Sequence, residues 1–157
     1  MSVLRLFPIL LLLMAAGCAR QTIPNTDVPD TSENREVVEF LERYRLAVEE
    51  RNVGGILAMV SQRYFDDNGT PGGADDLDFE GLQGKLARWE GLLDVRYDIR
   101  YRRVTFREDN IHVLVDFSFA GRFRVATPEG ERWARRLGDN RIVFAREEGE
   151  YRILSGL

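Results

Sequence analysis

The chain has 157 residues, a formal net charge of −4 and 44% hydrophobic residues, which is enough for one core and too little for two. An acidic balance excludes a dedicated nucleic-acid binder, whose phosphate contacts need concentrated positive charge. A single cysteine, Cys18, excludes a disulfide within one chain, and 21 of the 22 basic residues are arginines dispersed along the whole length, which reads as composition before it reads as a site.

The start, MSVLR, has one positive charge at Arg5 and leads into LFPILLLLMAA, eleven uncharged residues from Leu6 to Ala16. At about 1.5 Å per residue this run covers roughly half of a ~30 Å hydrocarbon core. Pro8 weakens a helix further, so residues 1–17 read as a signal peptide and not as a permanent span. Ala15-Ala16-Gly17 ahead of Cys18 resemble the bacterial lipobox, with Ala15 in place of the usual leucine. The resemblance implies cleavage before Cys18, diacylglycerol on its sulfur and a further acyl chain of the palmitate kind on its amine, more than stable membrane anchoring needs. The plainer alternative is an ordinary secretory leader with a stray thiol. A nucleophilic cysteine would need a partner that lowers its pKa inside a folded pocket, and Cys18 sits at the mouth of a leader. Ala19, where aspartate would signal retention under the enterobacterial sorting rule, implies an outer-membrane anchor with the domain facing the periplasm.

Residues 18–32 contain Pro24 and Pro29 and no periodic pattern, so they are expected to form a lipidated tether. Its fourteen residues after the cysteine would reach roughly 45–50 Å extended and average nearer 20 Å as a coil. The folded domain is expected over residues 33–157. It opens with a helix capped by Asp30, Thr31 or Ser32, in which Val37, Leu41, Tyr44 and Val48 recur at helical spacing. Asn52 is expected to cap a shorter helix containing Ile56, Leu57 and Val60. The stretch DDNGTPGGADDLD, Asp66 to Asp78, fails the EF-hand pattern, because Pro71 stands where glycine is required and Leu77 where the bidentate glutamate should be. It reads as a solvated loop, and no metal site is expected. A third helix is expected from Phe79, with Phe79, Leu82, Leu86, Trp89 and Leu93 spaced 3, 4, 3 and 4.

From Val95 the period changes to two. Val95, Tyr97, Ile99 and Tyr101 alternate with Arg96, Asp98, Arg100 and Arg102, and the phase slip at Arg102-Arg103 predicts a bulge. After a turn at Glu108-Asp109-Asn110, Ile111, Val113, Val115, Phe117 and Phe119 face one way and His112, Asp116 and Ser118 the other. Gly121 is expected to mark a second bend. Two further strands, Trp133–Leu137 and Asn140–Arg146, are expected around Gly138-Asp139, with Tyr151–Leu154 closing the chain. Helices followed by an antiparallel meander define an α+β fold.

This order, with FLERYRLAVEERNVGGILAMVSQRYFDD and the ending NRIVFAREEGEYRILSGL, resembles the nuclear transport factor 2-like superfamily, which includes the SnoaL-like cyclases and ketosteroid isomerases. The DDNGTP-like loop and GDNR-like turn are also similar to those of a group of envelope lipoproteins. The fold implied over residues 33–157 is cone-shaped, three N-terminal helices packed on a strongly bent antiparallel sheet. Enzymes of the superfamily place an aspartate or histidine base beside a tyrosine or second acid in the cone. Here the inward phases contain no acid, His112 shares the outward phase, and Asp98 stands among arginines. No catalytic residue and no cofactor are therefore expected.

Tyr44, Trp89, Tyr97, Tyr101, Phe117 and Phe119 are the candidate lining of a cavity that they would either wall or fill. The expected function is a membrane-anchored module that binds a small hydrophobic molecule or takes part in protein assembly without catalysis. A SnoaL-like isomerase, cyclase or hydratase is the alternative. The superfamily resemblance also implies a homodimer through the outer sheet face, which would present Arg96, Arg100, Arg102, Arg122 and Arg124 against Asp98 and Asp116.

Overall fold

The first helical stripe becomes helix α1, Ser32–Glu49, in the computed structural model, which describes residues 21–107 and 111–157 and Glu90 by its backbone alone. The leader, Cys18 and the expected turn at Glu108-Asp109-Asn110 lie outside the described residues. The Thr31 hydroxyl caps α1 by accepting from the Asn34 amide at 3.2 Å, satisfying one of the donors that a helix start leaves open. Helix α2, Val53–Ala58, is capped in the same way by the Asn52 side chain, which accepts from the Gly55 amide at 2.8 Å. Among the described residues no helix is long and apolar enough to cross a membrane.

A two-residue hairpin, β1 Phe65–Asp66 with β2 Leu77–Asp78, closes the aspartate-rich loop, and helix α3, Phe79–Ala87, follows at once. The expected third helix is shorter than its stripe. After α3 the chain tightens into a 3₁₀ turn, Arg88–Gly91, and Leu93 lies in strand β3, Leu92–Phe106. Gly81, Gly84 and Gly91 explain why the helix does not extend, since glycine costs about 1 kcal/mol per helical position relative to alanine. Strands β4 His112–Thr127, β5 Gly130–Glu147 and β6 Glu150–Ser155 complete an antiparallel meander in the order β3-β4-β5-β6.

The expected bulge is present, with a register shift between Tyr101 and Arg103. Other expectations change. Val60, expected in the second helix, lies beyond the end of α2 and bridges Ile153 instead. The two strands placed around Gly138-Asp139 are one continuous strand, because Gly138 is a packing glycine: a Cβ there would lie 3.2 Å from the Phe119 ring. At Gly121 the strand continues in register, as expected, and the Phe123 ring fills the space its Cβ would take, at 2.8 Å. Ile111, assigned to the inward phase, precedes β4 and is 52% exposed.

Each outer strand of the sheet is met by a segment from elsewhere in the chain, which blocks part of its edge from pairing with other chains. On the β6 side, Val60 makes a parallel bridge to Ile153, and the Ser61 amide donates to the Ile153 carbonyl at 2.9 Å. On the β3 side the cover is the segment that sequence alone reads as tether. From Gln21 onward it is docked: Thr22 bridges Pro29, Val28 is completely buried, and the Asp27 amide donates to the Tyr101 carbonyl at 3.0 Å. The Asp27 carboxylate accepts from Arg100 at 2.6 Å and Arg102 at 2.8 Å. Nothing local predicts this, since the partners lie 73 and 75 residues away.

Those two hydrogen bonds hold the Asp27 carboxyl down from its ordinary 3.8 to about 2. A depressed folded-state pKa means the tie is intact above the ordinary value and is lost as pH falls through the depressed one. The N-terminal segment is therefore expected to loosen between pH 3.8 and about 2. Hydrogen exchange at the Asp27 amide should accelerate in that window, and Asp27→Asn should abolish the step.

Candidate functional site

Directly opposed residues of antiparallel strands share a face, so the register reads out the concave wall. Tyr97, Gly121 and Arg136 form one row, Ile99, Phe119 and Gly138 the next, and Tyr101, Phe117 and Asn140 a third. The Phe119 ring lies 5.7 Å from that of Tyr97 and 6.3 Å from that of Phe117. Helix α1 brings Tyr44 to this wall, and the 3₁₀ turn brings Trp89 against the same core. Of the six aromatics picked out from sequence, Tyr44, Tyr101 and Phe117 are buried and Trp89, Tyr97 and Phe119 half-buried.

Two hydroxyls in this group have no hydrogen-bond partner among the described residues, Tyr44 and Tyr97. Tyr44 is only 8% exposed, and burial, with Tyr97 and Tyr64 close enough to add to it, pushes its pKa well above 10. Burial pushes Tyr97 up to about 12, with the Arg136 charge pulling the other way. Both are neutral phenols near neutral pH and available as donors. The one described side-chain polar atom sealed from solvent without a partner is Arg124 Nε, so the Tyr44 and Tyr97 oxygens keep some accessible surface.

Tyr101 differs from them. Its hydroxyl donates to Glu42 at 2.8 Å, and burial followed by the Glu42 charge raises its pKa far above the ordinary range. Arg45 holds Glu42 at 2.7 Å and Glu49 at 2.8 Å, and Glu49 in turn accepts from the Tyr97 amide at 2.9 Å. Glu42, Arg45 and Tyr101 of this network also border a cleft of about 340 Å³, together with Pro24, Thr26, Val38 and Ile99. Tyr101 is the member of the expected lining that this cleft shares.

At the other side of the wall Lys85 Nζ donates to the Leu157 carbonyl at 3.0 Å. Burial lowers its pKa first, and the charges of Arg136 and Arg88 lower it further, against Asp66. Arg136 and Arg88 therefore stand near enough to Lys85 for their charges to act on it. Arg136 was not singled out from sequence; its signal would have been the phase it shares with Ala134 and Gly138. The carboxylates nearest the wall are committed: Glu42 and Glu49 as above, and Asp66 to the Gly156 amide at 2.7 Å and the Tyr64 hydroxyl at 3.3 Å. His112 is half-buried opposite Ala145, in the phase alternate to Val113 and Val115. The aspartate-rich loop is exposed, and no group of metal-ligating side chains exists among the described residues.

No protein-family model matches the chain, and no curated protein does. Solved structures do. A conserved protein from Planctomyces limnophilus superposes with a TM-score of 0.67 at 10% identity, over 80% of this chain and 93% of that one. A protein assigned as a scytalone dehydratase from Novosphingobium aromaticivorans gives 0.66 at 8% identity, over 79% and 80%. One assigned as a dehydratase of the nuclear transport factor 2-like family from Streptomyces avermitilis gives 0.64 at 11% identity, over 80% and 94%. At these identities the likeness shows the fold: a curved antiparallel sheet with helices packed into it, as in nuclear transport factor 2-like cones.

Proposed function

We propose that the chain is an envelope lipoprotein, held by lipid on Cys18 to the outer membrane and facing the periplasm, whose cone binds a small, largely apolar molecule without transforming it. The observation behind the binding role is the pair of phenols, Tyr44 and Tyr97, that donate to no described residue, with the Tyr97 ring packed 5.7 Å from that of Phe119 on the concave wall. A phenol on an aromatic wall with no protein partner has a donor to offer a ligand oxygen. Lys85, with Arg88 and Arg136 near enough for their charges to act on it, favours an acidic head on that ligand.

Catalysis would need a carboxyl free to take a proton within reach of the bound molecule. The carboxylates beside the wall each already accept from an amide, hydroxyl or guanidinium. The second reading, a dehydratase- or isomerase-type enzyme, draws on the likeness to proteins assigned as dehydratases. It would require Asp66 to leave Gly156 and Tyr64 on substrate entry.

Native mass spectrometry of the chain purified from its own envelope tests both halves of the proposal. The expected result is a lipid mass on Cys18 and a non-covalent small molecule on the domain, with Cys18→Ser removing only the first. Tyr44→Phe should reduce ligand occupancy about tenfold while leaving stability unchanged or raised by about 1 kcal/mol, because the lost hydroxyl has no protein partner. An empty wild-type domain, or a Tyr44→Phe variant that retains its ligand, would sink the binding role. Turnover of the bound molecule that is lost in Asp66→Asn would establish the enzyme instead.

A further inference from the structure

The outer face of the sheet collects charge that the linear sequence disperses. Register places Arg96, Arg122 and Arg135 in a single row across β3, β4 and β5, although like charges directly opposite one another destabilise a sheet. Arg122 approaches Asp98 only at 4.0 Å, Arg96 approaches Asp94 only at 3.8 Å, and Arg135 has no ion pair among the described residues. Residues 120–138 contain five arginines against two glutamates, in a chain whose net charge is −4. On the same face Trp133 lies opposite Arg124 and Leu137 opposite Ala120, and these two side chains are 55% and 60% exposed. Arg124 lies 6.0 Å over the Trp133 ring, and its buried Nε has no partner. This end of the β4–β5 ribbon is thus basic, aromatic and uncovered.

The N-terminal segment is fastened to that same face. Arg100 and Arg102 project outward in phase with Arg96, and both grip Asp27. Only Ala19 and Arg20 separate Cys18 from the described fold, a reach of about 10 Å when extended. A lipid on Cys18 would therefore keep the domain at the bilayer surface, and where this face turns toward it, basic side chains are attracted to acidic headgroups and tryptophan partitions to the interface.

We infer that the outer sheet face, through the Arg96-Arg122-Arg135 row with Trp133 and Leu137, docks on an anionic lipid surface. The orientation rests on the proposed lipidation of Cys18; the surface itself does not. The described core runs from Ile23 to Leu157, so the chain from Gln21 retains the face without the anchor.

Co-sedimentation of residues 21–157 with phosphatidylcholine vesicles, with and without phosphatidylglycerol, tests the inference in a Trp89→Phe background, so that emission reports Trp133. The expected result is binding only to the phosphatidylglycerol vesicles, with a blue shift of Trp133. Binding should weaken at least about tenfold at high salt and be lost in Arg122→Glu/Arg135→Glu, whose fold is checked by circular dichroism. Absence of binding, or equal binding to both vesicles, overturns the inference. So does a concentration-dependent blue shift without vesicles, which would give the face to a second copy of the chain. A missing lipid on Cys18 with vesicle binding intact would remove the anchor alone.

Discussion

Phe144→Ala is expected to destabilise the domain by about 3–5 kcal/mol, because it deletes a fully buried ring whose cavity the surroundings cannot close. Phe144 is 0% exposed in β5, and its ring centroid lies 5.3 Å from Phe40 of α1 and 5.1 Å from Tyr151 of β6. Phe40 and Tyr151 also meet each other, at 5.6 Å, so the three rings join the long helix to two strands. Arg146 lies over the far side of Tyr151 at 4.5 Å and donates to Glu36, which limits how far Tyr151 can move into the gap. Urea unfolding should show a lower midpoint at unchanged slope, and the melting temperature should fall by on the order of 10 °C. A loss below about 1 kcal/mol would mean that the three rings do not form the pin that the fold requires.

The second large effect is expected at Gly156, near the end of β6. Its φ of +99° lies in a region that other residues rarely adopt, and a Cβ there would stand 2.1 Å from the Arg141 carbonyl oxygen. Backbone oxygen cannot rotate away as a side chain can. Gly156→Ala should therefore displace the segment and break the bonds it makes: the Gly156 amide to Asp66, Asn140 to the Gly156 carbonyl, and the Leu157 amide to the Tyr64 hydroxyl. The expected cost is about 2–4 kcal/mol, combining backbone strain with overpacking. Gly130 provides the control, since its φ is +122° but a Cβ added there would meet nothing within 4 Å. Gly130→Ala should cost only the strain, about 1 kcal/mol. Equal losses at the two positions in chemical denaturation would show that the Arg141 contact is not limiting.

The same variants bear on the site. Lys85 leans on the Leu157 carbonyl and Asp66 on the Gly156 amide, so the lip of the cone is built against the last two residues. Loosening them would release the carboxylate that the enzyme reading needs. Gly156→Ala should accordingly change ligand occupancy even where the domain stays folded.

Much of the fold is legible in the residue pattern. Alternation in Val95–Tyr101 and Val113–Phe119 assigns faces correctly because a strand repeats every two residues and one face is buried. The stripe Val37, Leu41, Tyr44, Val48 predicts α1 for the corresponding helical reason. Gly138-Asp139 reads as a break between two strands but is not one, because Gly138 admits the ring of Phe119, a packing fact invisible to local turn chemistry. The docked segment around Asp27 escapes a sequence reading because no periodic signal marks a stretch held by partners on another strand.

By itself the sequence determined the α+β order, the two faces of the long strands and the absence of an acid from their inward phase, since each follows from repeats a few residues long. Its arginines and its cysteine raised the anchor and the charge without saying where either would act. Only the tertiary structure decided that Tyr44 and Tyr97 lack partners among the described residues, that Glu49 serves the Tyr97 amide 48 residues away, and that Asp66 holds Gly156 across 90. It also gathered scattered arginines into one row. Register and hydrogen-bond choice are settled between elements far apart in the chain, by which polar groups remain unsatisfied once the apolar faces have met.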